Sequence, residues 1–270
     1  MRDKLLLMVD GRGLESASNV PCVNDWVNSP KPPLRGSHFV GAIKVRGNLL
    51  QTGQRTARQT GNNLATCDAG CGRPETLAHI SQVCHRTAGP RTDRHNRVLD
   101  LTARYLSDRG ATTLIKEPAI STPAGLRKPD LLVKIRGEAI VLDAKVVTDN
   151  ADLDAAHQRK RDYYDKPVIR QYVGHSLDAD PESVQFGSIT LNWRGAWSAK
   201  SADHLKRLGL RARELELLSI RALEGTHRIW KIHRDSTATM LRGRRGRMTA
   251  PARRKGGGQV RPRRHQPRRL

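Results

Sequence analysis

The run of residues 128–147, KPDLLVKIRGEAIVLDAKVV, constrains the fold of this 270-residue chain more than any other segment. Apolar residues dominate both halves, and the Arg136-Gly137 pair between them is suited to a tight turn. The run therefore predicts a β-hairpin. In its second strand, Leu142 and Ala144 are expected to point away from the intervening acidic residue and into apolar packing.

The segments on either side of the hairpin are assigned from periodicity and from breaker residues. They are a helix over 92–109, a strand over 112–120, a helix beginning near 152, a strand over 183–192 and a helix over 201–225. The end of the last helix, 217–225, can also be a strand. The resulting order, α-β-β-β-α-β, predicts a mixed α/β domain.

Two carboxylates and a lysine fall at one end of the hairpin. Strand alternation places Asp143 and Lys145 on one face, about 6.5–7 Å apart. Asp130 lies beside them if the strand of Asp143 pairs with the strand that starts at Leu131. Two carboxylates can hold Mg²⁺, and a lysine can orient a water or stabilise charge on a phosphate. The set predicts metal-dependent phosphodiester hydrolysis; the alternative is a chance coincidence of two common short motifs.

The following helix offers a further phosphate contact. Lys160 and Tyr164 are four residues apart and therefore share one helix face. Lys160 can bind a phosphate, and Tyr164 can position Lys160 or hydrogen-bond to the backbone; a solvated face with a packed tyrosine explains the pattern equally well. His157 lies one turn before Lys160. Glu117, in the preceding strand, is either a third carboxylate of the site or an exposed strand residue.

A cysteine and histidine cluster precedes the α/β segments, with the spacing Cys67-x3-Cys71-x7-His79-x4-Cys84. Three thiolates and one imidazole suit the tetrahedral coordination of zinc. Four protein ligands close the shell, so the predicted site is structural. The alternatives are free thiols beside an exposed histidine, or His85 in place of Cys84. A small disulfide-bonded scaffold would contain more cysteine.

The charge balance limits the partners. The chain has 49 Lys+Arg against 26 Asp+Glu, a formal net charge of +23, which favours a nucleic acid. Its apolar runs are too short to cross a bilayer. We expect no membrane and no small-molecule substrate. Residues 242–270 contain many arginines, no acidic residue and no hydrophobic period, and are predicted to be disordered; they are a nucleic-acid or nuclear-import arm or an extension without a selected role.

Several stretches together resemble a known family. They are RTARQ, CDAGCGRPETLAHISQVCHRTAGPRTDRHNRV, GLRKPDLLV, VLDAKVVTDN, LDAAHQRKRDYYD and ITLNWRGAWS. From about Pro33 to His233, the chain resembles the carboxyl-terminal region of the Pol-like polyprotein of type-1 non-LTR retrotransposable elements of the R-two type. These elements insert into large-subunit ribosomal RNA genes.

The resemblance implies a zinc knuckle followed by a restriction-like endonuclease of the PD-(D/E)xK kind. That enzyme nicks the DNA target, and the new 3′ hydroxyl primes reverse transcription of the element RNA. The residues that match the family's motifs are Cys67, Cys71, His79 and Cys84 for zinc, Asp130, Asp143 and Lys145 for the nuclease, and Lys160 with Tyr164 for the K-x3-Y pattern. The NWRGAW stretch, with Trp193, Arg194 and Trp197, also matches, but its role does not follow from the residues. No polymerase motif is found in this chain.

The expected organisation has five segments. They are an irregular segment (1–36), a basic linker helix (37–59), the zinc knuckle (60–90), the restriction-like endonuclease domain (91–233) and a disordered Arg-rich tail (234–270). Structural Zn²⁺ and catalytic Mg²⁺, the latter on Asp130 and Asp143, are the expected cofactors. Target DNA in ribosomal RNA genes and element RNA are the expected partners, and the nucleus is the expected location. The alternative is a non-catalytic zinc-containing fragment that binds DNA or RNA.

Overall fold

A mixed four-stranded sheet lies at the centre of the computed structural model, which describes residues 2–61 and 64–248. Its strands are β1 (Ala111–Lys116), β4 (Leu131–Ile135), β5 (Glu138–Val147) and β6 (Gln185–Asn192). They are arranged in the order β1-β4-β5-β6; the first three are antiparallel, and β6 runs parallel to β5. A small second hairpin of β2 (Ile120–Thr122) and β3 (Gly125–Arg127) is inserted between β1 and β4.

The helices of the described chain are α1 (Arg2–Leu7), α2 (Gly36–Arg46), α3 (Gly53–Gln59), α4 (Leu77–Gln82), α5 (Ala88–Asp108), α6 (Leu153–Tyr164), α7 (Pro167–Leu177), α8 (Ala199–Arg207) and α9 (Ala212–Met248). Short 3-10 helices span Glu15–Ser18, Pro21–Val27, His85–Thr87 and Pro181–Ser183. Apart from the β2–β3 insertion and the division of one helix into α6 and α7, the predicted α-β-β-β-α-β order is confirmed.

The predicted hairpin is formed by β4 and β5. Its two-residue turn has positive φ at both positions, 52° at Arg136 and 82° at Gly137, as a type I′ turn requires. The turn fixes the register, in which Leu131 pairs with Leu142. Asp130 therefore lies next to Asp143, as the sequence predicts.

The two faces of the sheet have separate apolar cores. One face packs against α5, α8 and α9 through Leu131, Val133, Ile140, Leu142, Ala144, Val98, Leu205 and Leu218. The other face packs against α6 and α7 through Leu132, Val141, Phe186, Tyr164, Ile169 and Val173. Leu142 and Ala144 thus occupy the first core, and Asp143 between them belongs to the second face.

The structure differs from the sequence predictions at both ends of the chain. The segment predicted to be irregular contains α1 and two 3-10 helices, and its Val23 and Trp26 are fully buried. The predicted linker helix is two helices, because the chain bends between α2 and α3 at Asn48, where φ is 55°. At the other end, α9 includes 217–225 and continues to Met248, so 234–248 is helical rather than disordered. Residues 249–270 lie outside the described residues.

One predicted strand ends earlier than expected, and the predicted charged helix is followed by a second helix. The strand over 112–120 stops at Lys116, because Glu117 has a φ of 48° and Pro118 follows it. The helix that begins near 152 stops at Tyr164, and Pro167 starts α7, the position that proline favours in a helix. Among the described residues, no helix combines the length and the apolar character needed to cross a membrane.

Candidate functional site

A buried ion pair connects β5 to α6. Asp143 is 3% exposed, and its Oδ1 lies 2.7 Å from the Nζ of Lys160. Burial and the negative charge of Asp130 raise the pKa of Asp143, while the Lys160 ammonium opposes this shift. A carboxylate held under sheet and helix in this way needs a cation beside it to stay ionised.

The second carboxylate is held from two sides. Asp130 Oδ2 accepts a hydrogen bond from the backbone N–H of Ala144 at 2.6 Å, and Oδ1 lies 3.3 Å from the Nε2 of His95. The backbone carbonyl of Asp130 accepts from the N–H of Glu117. The carboxylate is therefore oriented by the strand that carries Asp143 and by a residue of α5.

His95 was not predicted as a site residue from the sequence. Its hydrogen bond to Asp130 raises its pKa, and the charges of Asp130 and Asp143 act in the same direction, against the effect of burial. The helical spacing could have indicated it, because His95 lies three and four residues before Val98 and Leu99, which are buried on α5. A polar residue at that spacing faces the protein interior.

The other predicted residues surround the carboxylates. Lys145 is half-buried, and burial together with Lys160 and Arg159 lowers its pKa. The Tyr164 hydroxyl donates to the carbonyl of Lys128 at 3.0 Å, and its ring centroid is 5.6 Å from Lys160 Nζ. Burial and the nearby Asp143 raise the pKa of Tyr164.

Two further candidates lie elsewhere. The His157 side chain is buried and its Nδ1 is 2.8 Å from Ser188 Oγ on β6, so it faces β6 rather than the carboxylates. Glu117 is exposed, and it is linked to the site by a hydrogen bond from its backbone N–H to the carbonyl of Asp130.

The cysteine and histidine cluster closes into a compact group. The ligand atoms of Cys67, Cys71, His79 and Cys84 all lie within 4.8 Å of one another. The Sγ atom of Cys84 is 3.9 Å from that of Cys67 and 3.7 Å from that of Cys71. Tetrahedral zinc with Zn–S bonds of about 2.3 Å separates two sulfurs by about 3.8 Å. Among the described residues, neither buried ring nitrogen of His79 has a hydrogen-bond partner. A bond to a metal would give one of them a partner. The residues present therefore fit a structural Zn²⁺ site.

Two other histidines border the cluster. His85 Nδ1 lies 3.3 Å from Cys71 Sγ, and His233 Nε2 lies 3.4 Å from Cys67 Sγ. His85 is outside the compact group, which favours Cys84 over His85 as the fourth ligand. His233 belongs to a second possible group with Cys67, Asp68 and Glu75. Because Cys67 is common to both groups, and the first supplies three sulfurs, we assign the metal to the first.

The cluster is attached firmly to the α/β core. Leu77 and Ile80 of α4 share an apolar core with Trp193 and residues of α9. Arg91 of α5 donates to the carbonyl of Cys84 at 2.5 Å. The side chain of Gln82 donates to the carbonyl of Val147 at the end of β5.

The side chains of the NWRGAW stretch contact the core and the N-terminal segment rather than Asp130 and Asp143. The fully buried Arg194 guanidinium donates to the carbonyls of Asp10, Arg12 and Arg46 and pairs with Asp149. It therefore connects the N-terminal segment, α2 and the loop after β5. The indole N–H of Trp197 donates to Ser219 Oγ of α9, and that of Trp193 donates to Asp149.

Fold and site together define a mixed α/β protein that has a Cys₃His cluster consistent with a zinc site and two neighbouring carboxylates with lysines beside them. No family model matches the chain. It is 37% identical over 225 residues to the retrovirus-related Pol polyprotein from type-2 retrotransposable element R2DM of Drosophila melanogaster, across 83% of this chain. The chain belongs to the R2 retrotransposon Pol polyproteins and corresponds to their carboxyl-terminal region.

Similarity to other members supports this membership. The Pol polyprotein from type-1 retrotransposable element R2 of Nasonia vitripennis is 30% identical over 225 residues, 83% of this chain. The corresponding protein of Bradysia coprophila is 32% identical over 207 residues, 76% of this chain. The matches cover 21%, 22% and 23% of these three relatives, so the chain spans about a fifth of their length.

Proposed function

We propose that this chain is the endonuclease part of an R2-type polyprotein and nicks DNA by Mg²⁺-dependent hydrolysis. The observation that carries the proposal is that the β4–β5 hairpin places Asp130 next to Asp143. The Nζ atom of Lys160 lies 2.7 Å from Oδ1 of Asp143. The nick would supply the 3′ hydroxyl that primes reverse transcription by a polymerase absent from this chain. A restriction-like PD-(D/E)xK domain is part of the proposal, supported by the Asp130…Asp143-x-Lys145 pattern on the β4–β5 hairpin.

The residues present fit a hard divalent cation. Asp130 and Asp143 offer carboxylate oxygens, the ligand type that Mg²⁺ takes in proteins. Such an ion, when bound, acidifies a water and neutralises charge that develops on the phosphate. The raised pKa of the buried Asp143 reflects a site in which further positive charge is stabilising.

The protein's own residues would then act as follows. The Ala144 N–H and His95 orient the carboxylate of Asp130. Lys160 neutralises Asp143 and can move from it to a phosphate oxygen. Lys145, whose pKa is lowered, is suited to hold or release a proton at its Nζ near the attacking water. Tyr164 stays bonded to the carbonyl of Lys128 and supports the position of Lys160.

The target and the location belong to the same proposal. Ribosomal RNA genes are the proposed DNA target and element RNA a proposed partner, both because of the membership in the R2 polyproteins. A nuclear location follows from a chromosomal target.

A non-catalytic nucleic-acid-binding role is the second candidate. The net charge of +23 and the Cys₃His module favour it independently of the carboxylates. In that case the chain would bind DNA or RNA with steep salt dependence and would not cut it.

Strand scission distinguishes the two functions. The full chain is incubated with a supercoiled plasmid that carries a large-subunit ribosomal RNA gene, with Mg²⁺ or with Ca²⁺. We expect a nicked product with Mg²⁺ and a rate at least about 100-fold lower for Asp143→Asn. Asp162→Asn, an exposed aspartate of α6, is the matched control and should cut like the wild type. Equal nicking by the wild type and Asp143→Asn, or binding without any nicking, contradicts the proposal.

A further inference from the structure

A basic cavity of about 320 Å³ lies beside the carboxylates, where α4, α5 and β5 meet. Its wall includes Gln82 from α4, Arg91 and His95 from α5, and Lys145 from β5. None of the described residues in the wall is acidic. His95 and Lys145 therefore connect the cavity directly to the site of Asp130 and Asp143.

Two positive charges of the cavity, unlike that of His95, which pairs with Asp130, lack an ion-pair partner among the described residues. Arg91 donates to two neutral acceptors, the carbonyl of Cys84 at 2.5 Å and Thr87 Oγ1 at 3.0 Å. Within the described part of the chain, neither Arg91 nor Lys145 forms an ion pair within 4.0 Å. Two uncompensated cations facing one cavity create a site that attracts an anion.

A third cation, Arg94, also lines the cavity and adds to its positive electrostatic potential. Arg94 is 2% exposed, and its guanidinium donates to Thr226 Oγ1 and to the carbonyl of Ser81, again neutral groups. Burial, with the positive charge of Arg91, lowers the pKa of Arg94 to about 9. An anion in the cavity that Arg94 lines together with Arg91 and Lys145 would be attracted by all three positive charges.

We propose that the cavity binds a phosphate of the DNA backbone close to the scissile phosphate, with Arg91 as the phosphate-binding residue. The location next to the scissile phosphate rests on the proposed nuclease function; the phosphate site itself does not. Two carboxylates repel a polyanion, and this cavity supplies positive charge beside them. The side chain of Arg91 is positioned by the carbonyl of Cys84, a residue of the proposed zinc site, so the zinc module helps to shape the DNA-binding surface.

The test measures binding rather than cleavage. A short DNA duplex of arbitrary sequence is titrated with the full chain in Ca²⁺, without chelator, and the logarithm of the affinity is plotted against the logarithm of the salt concentration. One lost phosphate contact lowers the magnitude of the slope by about 0.9. We expect that decrease for Arg91→Gln and a nearly unchanged slope for Arg91→Lys, which keeps the charge. Arg104→Gln, an exposed arginine of the same helix, is the matched control and should not change the slope.

Several results would overturn the proposal. These are an unchanged slope for Arg91→Gln, equal decreases for Arg91→Gln and Arg104→Gln, and an effect confined to an RNA duplex. Zinc content is measured for every variant, and a slope that falls only together with zinc loss would assign Arg91 a structural role instead. Asp143→Asn is assayed for nicking in parallel. If it nicks like the wild type, the nuclease assignment fails while the result for Arg91 stands.

Discussion

The ammonium of Lys160 lies 2.7 Å from the carboxylate of Asp143, a contact between α6 and β5. The side chain of Asp143 is 4% exposed and that of Lys160 is 26% exposed. The carboxylate therefore depends on the lysine for charge compensation, while the lysine can still reach solvent. Such a pair suits a site whose anion must accept another cation and whose lysine must then contact a phosphate.

Removing Lys160 should destabilise the fold through Asp143. In Lys160→Gln the buried carboxylate loses its ion-pair partner, while the negative charge of Asp130 remains nearby. We expect a loss of about 2–3 kcal/mol in the free energy of unfolding in the absence of divalent metal. Urea denaturation of the wild type and the variant measures it.

The double variant Asp143→Asn/Lys160→Gln provides the control. With no buried charge left unpaired, it should recover a large part of the stability lost in Lys160→Gln. If the double variant is less stable than Lys160→Gln, the ion pair is not the source of the loss.

The Cys₃His group should bind one zinc ion per chain. Cys71→Ser and His79→Ala each remove a ligand and should abolish stoichiometric zinc, measured by native mass spectrometry. Cys22→Ser, which changes the cysteine outside the cluster, and His85→Ala should keep it. Loss of zinc in His85→Ala with retention in His79→Ala would show that His79 is wrongly assigned as one of the four zinc ligands.

Arg194 should be among the most sensitive residues of the core. Arg194→Met removes the donors to three backbone carbonyls and the partner of Asp149. We expect a loss of at least about 3 kcal/mol in the free energy of unfolding, because these partly buried acceptors and the carboxylate of Asp149 lose a fully buried charged donor. Arg221→Met removes a partly exposed pair with Glu224 on α9 and should cost less than about 1 kcal/mol. Equal costs for the two variants would contradict the role assigned to Arg194.

His204 should make the fold sensitive to mild acid. Burial lowers its pKa to about 4, and the charges of Arg207, His157 and Arg161 add to the shift. The unfolded chain takes up this proton near pH 6.5, whereas the folded chain does so only near pH 4. The free energy of unfolding therefore falls as the pH decreases from 6.5 to 4, by up to about 3 kcal/mol from this residue.

The pH effect is measured by urea denaturation at intervals between pH 7 and pH 4. His204→Gln should lose less stability over this range than the wild type. His175→Gln, an exposed position of α7, serves as the control and should follow the wild type. Parallel curves for the wild type and His204→Gln would refute the assignment.

The hairpin and its acids were predictable because local signals determine them. The Arg136-Gly137 turn sets the register, and alternation then places Asp143 and Ala144 on opposite faces. The zinc group was predictable for the same reason, since its ligands lie within eighteen residues of sequence (67–84) and use side chains with a distinctive chemistry.

Long-range contacts were not predictable in this way. His95 meets Asp130 across 35 residues of sequence, and Arg194 meets Asp10 and Arg12 across more than 180. No periodicity signals such pairs. The N-terminal segment also lacks a helical or strand period, although isolated residues such as Trp26 are fully buried.

The full length of α9 was not predicted, because the basic charge of its last residues was taken as a sign of disorder although their helix propensity is high. Its arginines, with Met240 and Leu241, favour helix, and they extend a helix that is already nucleated by tertiary packing. A basic composition alone does not determine whether a segment is ordered.

The most direct test of the account is the binding of a divalent cation by Asp130 and Asp143. Mn²⁺, a spectroscopic substitute for Mg²⁺, is titrated into the zinc-loaded chain and followed by electron paramagnetic resonance. We predict one site in the wild type and in Asp162→Asn, and at least about a tenfold weaker site in Asp130→Asn and Asp143→Asn. Unchanged Mn²⁺ affinity in both carboxylate variants would contradict the account.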